Sequence, residues 1–273
     1  MLFSVLNLFL CSLYTHDVVA DPLTIREQNI AQIKQDREKI KEFTLEEANK
    51  YDISEVTPED FIYSFETIVD DSMSDFEFYQ LRKKGLTDYE YRFQIKMEYG
   101  LIMKRILRSR SDNTLTVFEQ IAIMFYTGPP YLLINHILRI GNIQIEHKPF
   151  LHALITGLSK LPVITSKENG PLYREDVMEQ CRLREHQVGK IVLYTGITST
   201  TKLQSIKGRE MKCNIILQEY RTARSIKHLS LDHTKHQEEF VFVPGTIFEV
   251  MKKEQTRDGS SKIFMEERLI TEL

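Results

Sequence analysis

Arg174 is the first residue in the C-terminal half whose type and setting suggest chemistry. It lies in a short extended segment after the turn Gly170-Pro171. A planar guanidinium can hold phosphate or ribose oxygens through paired hydrogen bonds. It can equally pair with a neighbouring carboxylate such as Glu175 or Asp176. Considered alone, Arg174 favours the ion pair.

A cluster of hydroxyl groups follows about 25 residues later. Ser199, Thr200 and Thr201 come directly after a predicted strand that ends at Tyr194. Hydroxyls at a strand end can bind a ligand or orient a catalytic carboxylate, but they are also ordinary turn and cap residues. The cluster alone leaves both interpretations open.

The third segment is Gln237-Glu238-Glu239, which leads into an apolar strand and then Pro244-Gly245. Side chains two apart in a strand share a face, so Gln237 and Glu239 are predicted to point the same way and Glu238 the opposite way. The alternative is a solvated strand start.

The elements that must position these residues change character along the chain. Up to about Leu161 the pattern predicts helices, with a capped start at Thr57-Pro58-Glu59-Asp60 and further helices at Tyr89 to Leu107, Thr116 to Tyr126, Pro130 to Ile140 and from Pro149. After Leu172 it predicts strands at Val188 to Tyr194, Met211 to Tyr220, Glu239 to Val243, Ile247 to Lys252 and Lys262 to Met265. Helices followed by strands indicate an α+β fold.

The first twenty residues predict a secretory signal. An apolar run from Leu2 to Tyr14 ends in Val18-Val19-Ala20. It is shorter than the roughly 20 residues that cross a bilayer, although a buried helix or a short membrane anchor is the alternative. Removing residues 1–20 leaves Cys181 and Cys213, for which we predict a disulfide in an oxidising compartment, with two separately buried thiols as the alternative. We expect an exported protein without a membrane anchor.

Composition excludes several classes of function. With 273 residues and a formal net charge of -3, the chain has no global field that would attract nucleic acid. Neither a Walker pattern nor a Gly-x-Gly-x-x-Gly pattern occurs, so we expect no P-loop and no Rossmann-type binding of a dinucleotide. His228, His233 and His236 lack the further ligands of a tetrahedral site, so we expect no metal.

The order and spacing of the three segments carry more information than each segment alone. An arginine, then Ser-Thr-Thr, then Gln-x-Glu opening a strand resembles the mono-ADP-ribosyltransferase family, whose signature is Arg, Ser-x-Ser and [Glu/Gln]-x-Glu. The segments Phe125 to Tyr131 and Ile134 to Arg139 resemble its tyrosine-rich turn and its Asn-x-x-Leu-Arg helix. Asp70-Asp71 with Phe76 to Tyr79 is similar to a segment of the animal ecto-enzymes.

The resemblance implies a fold and a domain organisation. It implies an α+β, ADP-ribosyltransferase-like fold in which a helical N-terminal layer packs on a mostly antiparallel two-sheet β core. With the signal peptide at 1–20, residues 21–70 form a helical N-terminal extension and 71–273 the catalytic domain.

The resemblance also implies roles for single residues, with NAD+ as co-substrate and no metal. Glu239 is the catalytic carboxylate, which binds the nicotinamide-side ribose and stabilises the charged transition state. Ser199 holds that carboxylate, and Gln237 faces the incoming nucleophile. Arg174 contacts the phosphates of NAD+. Tyr173 packs near the cofactor, and the hydroxyl cluster of Ser199, Thr200 and Thr201 completes the cofactor-binding set.

Departures from the family pattern bear on the acceptor. Members that modify arginine usually carry Glu at the position of Gln237, because a carboxylate can pair with a guanidinium and help to deprotonate it. Glutamine cannot accept that proton, which favours an acceptor other than arginine. Thr201 replaces a serine and keeps a hydroxyl, and the cysteines do not match the four-cysteine framework of the animal enzymes.

The function implied is a secreted, monomeric enzyme that transfers ADP-ribose from NAD+ to a protein side chain and releases nicotinamide. Two alternatives stay open. The same site can hydrolyse NAD+ with water as acceptor, or the fold can be a catalytically silent binding module.

Overall fold

The computed structural model describes residues 22–48, 50–84, 97, 102, 114–128, 130–141, 143–176, 186–202, 213–230, 238–256 and 260–273. The helices are α1 (Pro22–Lys39), α2 (Leu45–Ala48), α3 (Pro58–Lys84), α4 (Val117–Tyr126), α5 (Tyr131–Ile140), α6 (Lys148–Lys160) and α7 (Ser166–Asn169). Short 3-10 helices lie at Lys41–Phe43, Ile53–Glu55, Ile145–His147 and Ile270–Glu272.

The strands join into one mixed sheet. They are β1 (Val163–Ile164), β2 (Leu172–Asp176), β3 (Ile191–Tyr194), β4 (Thr198–Thr201), β5 (Cys213–Glu219), β6 (Ala223–Ser225), β7 (Glu239–Phe242), β8 (Thr246–Gln255) and β9 (Ser261–Arg268). The order across the sheet is β1-β6-β7-β4-β2-β5-β9-β8-β3. Only β5 and β9 pair in parallel among the described strands. The α+β class is therefore confirmed.

The sheet consists of two halves that join at one point. The short half-sheet is β1-β6-β7-β4, and the long half-sheet is β2-β5-β9-β8-β3. Within the described part of the chain, β2 and β4 pair at one position, Tyr173 with Thr201. The ring centroids of Phe242 and Phe248 lie 5.3 Å apart, although β7 and β8 are not neighbours in the sheet. The two half-sheets therefore pack face to face. The family resemblance implied a core of two sheets, and the two half-sheets correspond to them.

The helical layer covers the other face of the short half-sheet. Val241 and Val243 point into one buried cluster with the apolar faces of α3 to α6, whereas Phe240 and Phe242 point into the core between the halves. This division follows from the period of two in a strand. On the outer side of the long half-sheet, α1 packs Ile33 against Ile191 and Ile247.

Close packing between α4 and α6 depends on a glycine. A Cβ atom on Gly157 would lie 2.9 Å from the Cβ of Glu119. Glu119 is fully buried, caps α4 through the backbone N–H of Thr116 and accepts a 2.7 Å hydrogen bond from Lys160. A buried carboxylate is tolerated here because it has these partners.

Most predicted helices are confirmed within a few residues. Thr57 caps α3 by accepting the backbone N–H of Asp60, and Thr116 caps α4. Gly141 ends α5 with a φ of +71°, as its position predicted. The helix predicted from Tyr89 to Leu107 lies outside the described residues except at two positions, and both are helical.

Two strands were assigned differently from the sequence. The hydroxyl cluster was expected to follow a strand end, but Thr198–Thr201 is itself the strand β4. Arg174 was placed at the end of an extended segment, but it lies in the middle of β2. The short strands β1 and β6 were not predicted at all.

Several predictions fall outside what the structure describes. The signal segment and Cys181 lie there, so the export signal and the disulfide stay predictions, while Cys213 is buried at the start of β5.

The predicted boundary between residues 70 and 71 falls inside α3. Within the described ranges no single helix is long and apolar enough to cross a membrane, whereas α4 and α5, bent by 94°, pass that test only as a pair.

Candidate functional site

The site lies where the two half-sheets join. Thr201 of β4 is paired on one side with Tyr173 of β2 and on the other with Glu239 of β7. Residues directly opposite each other on paired strands have neighbouring side chains. Three strands that are distant in sequence therefore bring the arginine, hydroxyl and carboxylate segments to one place.

Arg174 reaches across this junction. Its Nη1 donates a 3.1 Å hydrogen bond to the carbonyl oxygen of Ser199. The contact fixes the plane of the guanidinium and ties β2 to β4 beyond the Tyr173 pair. This contact with a backbone carbonyl was not predicted from the sequence, which for Arg174 alone favoured an ion pair with Glu175 or Asp176.

Ser199 and Glu239 lie on the same face of the short half-sheet. Ser199 is paired with Val241, two residues after Glu239, so the two side chains are diagonal neighbours. Ser199 therefore lies beside the Glu239 carboxyl and lowers its pKa. The family resemblance assigns this serine the role of holding the carboxylate.

The Glu239 carboxyl is desolvated. Burial raises its pKa, while the hydrogen bond from Ser199 and the positive charge of Arg174 lower it and offset part of the effect. The residue as a whole is half-buried. A carboxylate with few water partners interacts strongly with a positive charge brought beside it.

A tyrosine from the helical layer contacts this pair. Tyr126, the last residue of α4, places its hydroxyl 3.0 Å from the Oγ of Ser199 and donates to the carbonyl of Ile197 at 3.3 Å. Asn135 of α5 donates from its Nδ2 to the Tyr126 hydroxyl at 3.2 Å. Tyr126 and Asn135 lie in the two segments that resemble the mono-ADP-ribosyltransferase family, but that resemblance implied no role for either residue.

Gly196 allows α5 to approach β4 closely. A Cβ atom at Gly196 would lie 2.7 Å from Oδ1 of Asn135 and 3.4 Å from Arg139. Any other residue would push the helix away from the strand. The Gly-x-x-Ser spacing of Gly196 and Ser199 is a local sequence signal that points to this contact.

Glu238 has an unusual backbone beside the site. Its φ of +45° lies in the left-handed region, which is rare for a residue with a side chain. Its carboxylate pairs with Lys227 at 2.5 Å, and this contact lowers its pKa. Glu238 therefore has a partner of its own and is separate from the Ser199–Glu239 pair.

The remaining predicted site residues have different surroundings. Thr201 and Tyr173 lie in the row that contains Glu239. The Thr200 hydroxyl instead donates to the carbonyl of Phe240 at 2.9 Å, on the opposite face. Gln237 lies outside the described residues, as do His233 and His236. Within the described part of the chain, no group of three His, Cys, Asp or Glu residues could hold a metal ion.

This donor set fits a ligand that combines an anion with a sugar. Arg174 supplies a fixed cation, and Glu239 supplies a hydrogen-bond acceptor with a negative charge. A dinucleotide such as NAD+ carries a pyrophosphate and a ribose next to a positively charged ring, which matches both groups.

No protein-family model matches the chain, and no curated protein matches it in sequence. Among solved structures, the chain is similar to the type III effector XopAI from Xanthomonas axonopodis pv. citri. In one crystal form the TM-score is 0.60 at 15% identity, over 88% of this chain and 99% of that chain. In a second the TM-score is 0.60 at 16% identity, over 87% and 92%.

A second similarity is weaker. The Vis toxin, an ADP-ribosyltransferase from Vibrio splendidus, aligns with a TM-score of 0.48 at 17% identity, over 65% of this chain and 86% of that chain. Of these similarities, those to the effector are high enough to show a common architecture. The chain therefore has the fold of the XopAI effector.

Proposed function

We propose that the protein is a secreted NAD-dependent mono-ADP-ribosyltransferase. The observation that carries the proposal is the meeting of Arg174, Ser199 and Glu239 at one junction of three strands. The sequence motifs resemble those of this family, and the proximity of the three side chains supports the proposal.

The three residues divide the work between binding and catalysis. Arg174 binds the pyrophosphate and orients NAD+ along the junction. Glu239 accepts a hydrogen bond from the nicotinamide-side ribose and stabilises the positive charge that develops on that ribose as nicotinamide leaves. Because this charge is larger in the transition state than in bound NAD+, the interaction accelerates the reaction. Ser199 holds the carboxylate in place.

The reaction exchanges one bond for another. The bond between ribose C1 and the nicotinamide nitrogen breaks, and its electron pair stays on that nitrogen. A protein side chain then forms the new bond to C1 and loses a proton. Gln237 is proposed to face this nucleophile through its amide, which favours an acceptor other than arginine.

The test measures nicotinamide release and labelling of protein by labelled NAD+. We expect Glu239→Gln to reduce nicotinamide release by about 100-fold or more, the scale seen when one electrostatic stabiliser is removed. Arg174→Ala is expected mainly to raise the KM for NAD+. The matched control is Glu238→Gln, which removes an adjacent carboxylate paired with Lys227 and should keep wild-type turnover.

The outcomes separate the proposal from its alternatives. Nicotinamide release with labelled protein supports transfer, whereas release without labelled protein indicates an NAD+ glycohydrolase. An absence of NAD+ turnover, with NAD+ binding unchanged in Glu239→Gln, indicates a silent binding module. Full turnover in Glu239→Gln would overturn the assignment of the carboxylate.

A further inference from the structure

We infer that Tyr126 and Asn135 are positioning residues for the proposed reaction, because they extend the Ser199–Glu239 contact into a hydrogen-bond chain that begins in the helical layer. The inference rests on the proposed function. It assigns a role to a helix end and a helix face that are otherwise parts of the apolar core.

The protons of the hydrogen-bond chain can be directed toward Glu239 when this carboxyl is ionised. A carboxylate only accepts, so the single hydroxyl proton of Ser199 is drawn to Glu239. The Ser199 oxygen, 3.0 Å from the Tyr126 hydroxyl, then shares the single Tyr126 proton with the carbonyl of Ile197 at 3.3 Å. The Tyr126 oxygen in turn accepts from the Asn135 amide at 3.2 Å.

Burial strengthens such a chain. Tyr126 is 1% exposed and Asn135 is 3% exposed, so water does not compete for these groups. Hydrogen bonds aligned in one direction polarise one another in a low-dielectric interior. Burial, followed by the negative charge of Glu239, raises the pKa of Tyr126 to about 12, so the phenol keeps the proton that it donates.

Packing fixes the upstream end of the chain. The Oδ1 of Asn135 is buried without a hydrogen-bond partner and faces Gly196, which leaves no room for a side chain. The Nδ2 of the same amide faces the Tyr126 hydroxyl. Around Glu239, the groups in the described residues that act on its charge are Arg174 from β2, Ser199 from β4 and Tyr126 from α4.

The test variant is Tyr126→Phe, which removes one oxygen and keeps the ring in the core. We expect the kcat of nicotinamide release to fall about tenfold, while the KM for NAD+ changes less than about threefold, because a positioning group acts on the transition state. The acidic limb of the pH–rate profile should move to higher pH, since Ser199 loses the donor that directs its own proton to Glu239.

Three controls make the test specific. Tyr220→Phe also removes a buried phenol oxygen, one that donates to the Gly170 carbonyl at 2.8 Å, and should leave kcat unchanged. In a Ser199→Ala background, Tyr126→Phe should have no further effect on kcat, because it acts through Ser199. NMR titration of the Glu239 side-chain carbon should give a higher pKa in Tyr126→Phe than in wild type, whether or not the protein turns over NAD+.

The inference and the proposed function fail in different ways. An unchanged Glu239 pKa together with an unchanged kcat in Tyr126→Phe would overturn the positioning role and leave the enzyme assignment intact. Wild-type protein without NAD+ turnover would overturn the assignment. In that case the NMR titration would still decide whether the hydrogen-bond chain lowers the pKa of Glu239.

Discussion

The carboxyl of Glu239 is negatively charged and desolvated. This buried charge lowers the stability of the folded protein, whereas the proposed reaction requires it. Burial raises its pKa, and the partners Ser199 and Arg174 compensate only in part. The folded protein therefore binds a proton at Glu239 more tightly than the unfolded chain does. Stability contributed by this group is present at low pH and is lost as pH rises from the ordinary glutamate pKa through the raised one.

At the scale of this residue, we predict that Glu239→Gln stabilises the protein at neutral pH while it abolishes turnover. Glutamine keeps the shape and removes the unfavourable buried charge. The midpoint of urea unfolding should rise relative to wild type at pH 7 and converge with it below the ordinary glutamate pKa. Active-site residues often carry such a trade-off between stability and activity.

Glu238→Gln provides the contrast, because the pKa of Glu238 is lowered by its pair with Lys227. A lowered pKa contributes stability above the ordinary value and loses it in acid, so this variant should not be stabilised at pH 7. A lower unfolding midpoint for Glu239→Gln than for wild type at pH 7 would contradict the argument.

Single residues of the site were predictable where the sequence carried a motif. Arg174, Ser199 and Glu239 were identified from their types, order and spacing, and the structure brings them together. The contact between Tyr126 and Ser199 was not predictable in this way. It joins residues 73 apart, and a tyrosine at the end of an apolar helix has the same sequence pattern as any core residue.

At the scale of elements, the approach of α5 to β4 depends on Gly196. We predict that Gly196→Ala lowers stability by about 1 to 3 kcal/mol, because its methyl group would overlap Oδ1 of Asn135. It should also lower kcat per folded molecule, since displacing α5 moves the Asn135 amide away from Tyr126. Urea unfolding and nicotinamide release measure the two effects.

Gly157→Ala is the matched control for this prediction. Its methyl group would lie 2.9 Å from the Cβ of Glu119, between α4 and α6, away from the junction of the half-sheets. The variant should change stability and leave kcat per folded molecule as in wild type. Equal losses of kcat in both variants would show that helix packing in general, and not the α5–β4 contact, affects the site.

The elements were predictable in proportion to their length and apolar content. The helices α3, α4 and α5 have capping residues and apolar faces that define their starts and ends. Strand β4 reads Thr-Ser-Thr-Thr and has no alternation of apolar and polar residues, so tertiary pairing with β7 and β2 decides its conformation. Strands β1 and β6 are too short to leave a pattern.

At the scale of the whole molecule, the site depends on how the half-sheets pack. Arg174 lies on the long half-sheet, and Ser199 and Glu239 lie on the short one. Phe248 and Phe242 pack between them. We predict that Phe248→Leu raises the KM for NAD+ and lowers kcat per folded molecule, with a stability loss of about 1 to 2 kcal/mol.

Ile247→Val tests the neighbouring position on the opposite face of β8. Ile247 packs against Ile33 of α1, away from the core between the half-sheets. The loss of one methylene costs about 0.5 to 1.5 kcal/mol and should leave both kinetic constants unchanged. Kinetic changes of the same size in both variants would contradict the special role of the interface between the half-sheets.

The class of the fold was predictable from the change of period along the chain, but the joining of two sheets into one was not. Hydrophobic patterns specify which face of a strand is buried. They do not specify that β2 and β4 pair with each other, which joins the two half-sheets, or that this pairing is limited to one residue pair among the described residues. Long-range pairing of this kind is decided by the assembled core.

Among the described residues, Tyr173 and Thr201 form the one backbone pair between β2 and β4, so this pair contributes little resistance to a change in the angle between the half-sheets. A ligand that contacts both Arg174 and Glu239 would connect the two half-sheets at a junction where few backbone hydrogen bonds do so. Binding of the proposed NAD+ across this junction would therefore be thermodynamically linked to the docking of the half-sheets.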